Sequence, residues 1–241
     1  QILDVLSGIT FNGNLDLVVT DIHNFDLRFD RFYENNQMIG ISGFYKYMIN
    51  PIEITRYSSD DDNIQPINTP SGLVYGFELE IRKSIDFISD NLFLNSNTSI
   101  IYSKVDIVGD EYQSIENSLR NLEMFSSSRV MQGQAPYILN CGISYLNNNI
   151  ESSLTYNVEG QKLSIVGINR RPNIYTNPFH SLNISVSLNN IIYDNLKISL
   201  MCKNILNQKR ELVAQSFGIK DQIYNSYSIG RSIGIKLKYV L

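Results

Sequence analysis

Nine separate stretches of this 241-residue chain alternate apolar and polar residues with a period of two, and no other feature constrains the fold as much. A period of two sends successive side chains to opposite faces of a β-strand. In "LVYGFELEIR" (73–82), Leu73, Tyr75, Phe77, Leu79 and Ile81 face one way, and Glu78, Glu80 and Arg82 the other. "NFDLRFDRF" (24–32) sets Phe25, Leu27 and Phe29 against Asp26, Arg28 and Asp30. The remaining segments are 38–47, 93–107 (less regular), 137–145, 150–158, 181–188, 196–204 and 231–241. The last, "GRSIGIKLKYVL", carries the alternation to Leu241, where chains commonly fray.

A soluble sandwich with one wet face would alternate too, so the connections decide. They run short (33–37, 83–92, 146–149, 189–195) and long (48–72, 108–136, 159–180, 205–229) in strict turn. Compact soluble domains rarely carry several long structureless loops. Transmembrane β-barrels have short periplasmic turns and long extracellular loops, with strands of about 9–11 residues. The expectation is therefore an all-β, antiparallel transmembrane barrel wall. Its last strand runs from outside to inside. Leu79, Leu139, Ile184 and Leu237 should face lipid, and Glu80, Asn140, Ser185 and Lys236 the lumen. Tyr45, Tyr47, Tyr137, Tyr145, Tyr156 and Tyr239 fall toward strand ends, where an aromatic girdle would sit.

Composition agrees: 15 Tyr and 11 Phe favour strands. A net charge of −4 gives no sign of a nucleic-acid surface. No stretch approaches the ~18 apolar residues of a membrane helix. Gln1 opens mid-pattern without signal-peptide features, as expected of a processed chain or a fragment. Cys141 and Cys202 form no CxxC. Sequential hairpins would hold them three strands apart, beyond disulfide reach.

Chemistry-bearing motifs are sparse. No HExxH, P-loop, GxSxG or GxGxxG occurs, so no catalytic residue, cofactor or metal site is assigned. "HSLN" (180–183) brings outer-membrane hydrolases to mind, but a polar strand entry explains it as well. "SSDDDN" (58–63) could hold calcium, yet it lacks EF-hand spacing and also reads as a solvated loop. The best functional cluster is Asp26, Arg28, Asp30, Glu78, Glu80 and Arg82, which neighbouring strands would point into the lumen, toward one another or a plug. In the long loop "NRRPNIY" (169–175), Arg170, Arg171 and Tyr175 could meet a ligand.

Six pieces, in order, resemble the barrels of TonB-dependent receptors of Bacteroidetes-type bacteria. They are "NFDLRFDRFYENNQMIGISGFYKYMINPIE" (24–53), "GFELEIRKSIDF" (76–87), "MQGQAPYILNCGISY" (131–145), "YNVEGQKLSIVG" (156–167), "KNILNQKRE" (203–211) and "YSIGRSIGIKLKY" (227–239). The family usually ends on Phe; this chain ends on Leu241. The resemblance implies that residues 1–241 are about nine C-terminal strands of a barrel of about 22 strands. A plug and an N-terminal barrel half would lie outside this chain, in the same polypeptide or a separate one. The implied function is import of a metal chelate, cobalamin, glycan or peptide, energised through TonB, with lipid and a surface lipoprotein as further partners. Two alternatives remain: a self-contained porin or barrel hydrolase, and a soluble β-sandwich binding module. The first strand pairing with the last would mark the self-contained barrel.

Overall fold

The computed structural model describes residues 2–3, 10–34, 37–56, 63–107, 109, 111, 126–168, 171–191, 193–216 and 220–239. In chain order the strands are β1 (Ile2–Leu3), β2 (Thr10–Phe11), β3 (Asp21–Phe32), β4 (Met38–Ile49), β5 (Ile52–Arg56) and β6 (Ile64–Asn68). Next come β7 (Ser71–Ser84), β8 (Leu92–Asp106), β9 (Ser128–Arg129), β10 (Tyr137–Leu146), β11 (Ile150–Glu159) and β12 (Lys162–Ile165). The chain finishes with β13 (Asn173–Thr176), β14 (Phe179–Asn189), β15 (Leu196–Lys203), β16 (Lys209–Gln215), β17 (Gln222–Ser228) and β18 (Ser232–Tyr239).

The nine alternating segments are the nine long strands of one antiparallel sheet, ordered β18-β15-β14-β11-β10-β8-β7-β4-β3, with β9 against β8. Short turns close on backbone bonds such as Tyr33 N–H to Gln37 O (2.9 Å) and Asn147 N–H to Ile150 O (2.9 Å). Asn190 and Asn195 take positive φ at the turn before β15, a conformation Asn tolerates better than most residues.

Register keeps the two faces separate across the sheet. Phe29, Ile41, Leu79, Thr98, Leu139 and Val158 form one row; Cys202, Leu200 and Ile198 meet Ile233, Ile235 and Leu237 in others. Phe77, Ile235 and Leu237 are 68%, 69% and 67% exposed. A contiguous exposed apolar face of this extent marks a surface that meets something other than water. Tyr45, Tyr75 and Tyr102 lie in one cross-strand row toward the long-loop end, Tyr145 and Tyr239 toward the other. Both thiols are free. Cys141 on β10 and Cys202 on β15 are separated by β11 and β14, about 14 Å at ~4.8 Å per strand.

The long connections depart from the expected structureless loops. Three of them fold into hairpins: β5–β6, β12–β13 and β16–β17. The last two join into a four-stranded sheet, β12-β13-β16-β17, and Thr55 bridges Val166 to connect β5 with β12. Here, at the end of the large sheet, lies the dry packing. Leu163, Val166 and Ile174 are fully buried, and Val105 packs with Val74 and Met131 beside Phe44, Met48 and Ile101.

Edges β3 and β18 each have one partner, β4 and β15, and do not pair with each other among the described residues. The sheet is an open wall, and the pairing that a self-contained barrel would need is not made.

Candidate functional site

On the polar face, β3, β4 and β7 bring part of the expected charge cluster together. Arg28 donates from Nε to both oxygens of Asp30 (3.0 and 2.9 Å) and from Nη2 to Glu80 (2.8 Å). Arg82 donates to the other oxygen of Glu80 (2.7 Å). Arg28 sits on β3 and Glu80 on β7, so the bond passes over β4. It passes at Gly40, where a Cβ would come within 2.5 Å of Asp30 Oδ1 and 3.0 Å of Arg28 Nη2. Glu78 stands apart from the arginines and accepts from Ser42 (3.2 Å) and Ser99 (3.3 Å). Asp26 accepts from Asn24 instead. Beside Glu80 the face continues as Asn97, Asn140, Asn157 and Ser181. Amides and hydroxyls on a wet face offer neutral hydrogen-bonding positions at little desolvation cost.

Of the loop residues singled out, Arg170 lies outside the described residues. Arg171 is half-buried just before β13. Tyr175 is not in a loop: it is the third residue of β13, opposite Leu163 and Val213. The alternation of β13 buries Ile174 and leaves Tyr175 half-exposed. Most of the acidic stretch 58–63 also lies outside the described residues. Among those described, no group of three His, Cys, Asp or Glu could hold a metal ion.

"HSLN" divides between faces. His180 Nδ1 meets Tyr156 Oη at 2.6 Å, whereas Ser181, on the opposite face, donates to Asn183. A nucleophile–base pair needs both groups within hydrogen-bond reach, and strand alternation separates this Ser from this His.

A second cluster escaped the sequence reading. Arg129 is clamped between Glu53 and Glu111, with Nη2 to Glu53 Oε2 at 2.7 Å and Nε to Glu111 Oε1 at 2.5 Å. All three side chains are over nine-tenths buried. Burial opposes the charge on Arg129, but hydrogen bonds to Glu111 and Glu53 outweigh it and hold the guanidinium above its ordinary value. Gln132 completes the knot. Its backbone N–H donates to Glu53 (2.7 Å). Its side-chain amide accepts from Ile54 N–H (2.5 Å) and donates to Ile54 O (2.8 Å) and Ser164 O (2.6 Å). One side chain thus ties three long connections. The signal was in the sequence: Glu53 ends "NPIE" and Gln132 opens "QGQAPY", two of the pieces that carry the resemblance.

The model of the outer membrane protein beta-barrel family matches residues 7–239. The chain belongs to the outer membrane protein β-barrel family. Its place is therefore the bacterial outer membrane, and the exposed apolar face is the face such a wall turns to lipid. No curated protein matches the chain. Among solved structures it is similar to the ferric yersiniabactin uptake receptor FyuA of Yersinia pestis. There the identity is 13% and the TM-score 0.61, with 91% of this chain and 30% of that one covered. The copper transporter OprC gives 13%, 0.59, 93% and 32%. A variant of the ferric enterobactin receptor PfeA of Pseudomonas aeruginosa gives 14%, 0.57, 91% and 31%. At such identities the likeness concerns the fold, which agrees with the receptor-barrel resemblance. The chain spans about a third of the length of these structures.

Proposed function

We propose that this chain is the C-terminal part of the barrel wall of a TonB-dependent receptor that imports a scarce ligand. It is a transporter component and not an enzyme. One observation carries the reading: a nine-stranded wall, open at both edges, is capped by packed hairpins, the β5–β6 hairpin bridging to β12 and held to the connection before β10 by the buried Arg129–Glu53 pair. A passive pore needs a closed wall and an unobstructed mouth. Large capped barrels built from more strands suit selective uptake of bulky cargo.

In this reading an N-terminal barrel half and a plug complete the wall, and TonB acts through that missing part. The paired charges of Arg28, Asp30, Glu80 and Arg82, with Asp26 and Glu78, line the lumen and face the plug. Arg171 and Tyr175, beside the undescribed Arg170, would serve the outer mouth, where ligand or a surface lipoprotein would arrive. The ferric chelates for which PfeA and FyuA are named make metal chelates the first class to test.

The experiment compares energised uptake in cells with and without the gene, using a panel of radiolabelled ferric chelates, cobalamin and glycan oligomers. The expected result is gene-dependent accumulation of one panel member that collapses on adding a protonophore or removing TonB. Gene-dependent entry of small solutes that survives both treatments would overturn the reading in favour of a porin.

A further inference from the structure

On the polar face, where β10, β11 and β14 give way to the hairpins, a cleft of about 370 Å³ is lined by Asn140, Asn157, Glu159, Phe179, Ser181 and Arg210. The Arg210 guanidinium lies 4.3 Å from the centroid of the Phe179 ring. A guanidinium held over a ring face keeps its N–H edge available for hydrogen bonding. That edge is unused: among the described residues, no carboxylate pairs with Arg210 and no carbonyl accepts from it. Glu159, the acid in the cleft, is held by Lys162 Nζ at 2.7 Å. Arg28 and Arg82, by contrast, are matched to Glu80, and Arg129 to Glu53 and Glu111.

A planar cation, pre-oriented on an aromatic ring with its fork open to a cleft, suits a carboxylate, whose two oxygens match two parallel N–H donors. The neighbouring amides and hydroxyl supply donors and acceptors for the rest of such a ligand: Asn140 and Asn157 are directly paired across β10 and β11, and Asn157 faces Ser181 on β14. With Glu159 offset by Lys162, the cleft carries one uncompensated positive charge.

We propose that Arg210, held on Phe179, is an anion subsite that takes a carboxylate of the incoming ligand, with Asn140, Asn157 and Ser181 binding its hydroxyl or carbonyl groups. This rests on the receptor reading and narrows it to carboxylate-bearing cargo. The carboxylate could come from an acidic glycan or from a hydroxycarboxylate metal chelate.

The test measures binding to outer-membrane preparations from cells expressing the protein, wild type or Arg210→Gln or Arg210→Lys. Three probes are used: an oligogalacturonide, the neutral galactose oligomer of the same length, and ferric citrate. Heat-modifiable migration on gels confirms that each variant is folded. One carboxylate probe is expected to bind wild type, and Arg210→Gln to weaken it roughly 10- to 100-fold, as loss of charge-assisted hydrogen bonds does. Arg210→Lys, which keeps charge but loses the fork, should recover only part. Binding of the oligogalacturonide identifies the glycan source, and binding of ferric citrate the chelate. Failure of both carboxylate probes to bind wild type, or equal binding by wild type and folded Arg210→Gln, overturns the subsite. Energised uptake of an uncharged panel member would overturn it too, while leaving the receptor reading in place.

Discussion

At the scale of single residues, two charge clusters look alike in composition and differ in consequence. Arg28 is 45% exposed, and its pairs are those of a wet face, where each contributes little. Arg129 is buried between two buried acids. Removing it would leave both carboxylates without water and without a cation, at a cost of about 3–5 kcal/mol. Arg129→Met is therefore expected to loosen the cap. Hydrogen exchange should rise at residues 52–56 and 128–136 while β7 and β10 stay protected; unchanged protection at 52–56 would show that the triad does not hold the hairpins. Gly40 gives a second test. A side chain there would occupy the space through which Arg28 reaches Glu80. A double-mutant cycle on Arg28 and Glu80 should show coupling with Gly40 and none with Gly40→Val. Equal coupling in both backgrounds would mean that the bond does not depend on the gap.

At the scale of elements, the large sheet puts Leu237 opposite Ile198 on the apolar face and Lys236 opposite Ser199 on the polar one. An arginine facing lipid costs up to about 2–4 kcal/mol near the bilayer midplane and far less toward a lumen. Leu237→Arg should lower folding stability in lipid vesicles well below that of Lys236→Arg; equal stabilities would contradict the assignment of faces. All nine long strands were legible because a half-exposed strand writes its alternation into the sequence, as Leu73 to Arg82 does. The hairpins were not. β12 and β13 have four residues each, too few for a period to register, and β13 buries Ile174 beside the polar Asn173. The knot was less legible still. Glu53 and Gln132 are 79 positions apart, and only the tertiary fold brings a carboxylate to that backbone N–H. The open fork of Arg210 had no sequence signal, since nothing local distinguishes an arginine with a partner from one without.

At the scale of the whole molecule, the two edges dominate. β3 has 12 residues and β18 has 8. In each, roughly half the backbone N–H and C=O groups point away from the single neighbouring strand. An unpaired backbone group in hydrocarbon costs several kcal/mol, so even a handful of them would outweigh the ~5–15 kcal/mol that stabilises an ordinary domain. The edges must therefore be paired in the membrane. Pairing to each other is the arrangement the nine-stranded sheet does not adopt, and single-chain bacterial barrels have an even strand count. Both edges are expected to pair with strands outside this sheet. A disulfide scan tests this: Phe29→Cys on β3 and Ile235→Cys on β18, combined with Cys141→Ser and Cys202→Ser, in the protein in its native membrane. Under oxidation no disulfide should form between the two introduced thiols. Each single variant should instead cross-link, through a short bifunctional reagent, to a strand outside residues 21–239. High-yield bridging between the two positions would mean that the wall closes on itself, and a self-contained barrel would then replace the receptor wall.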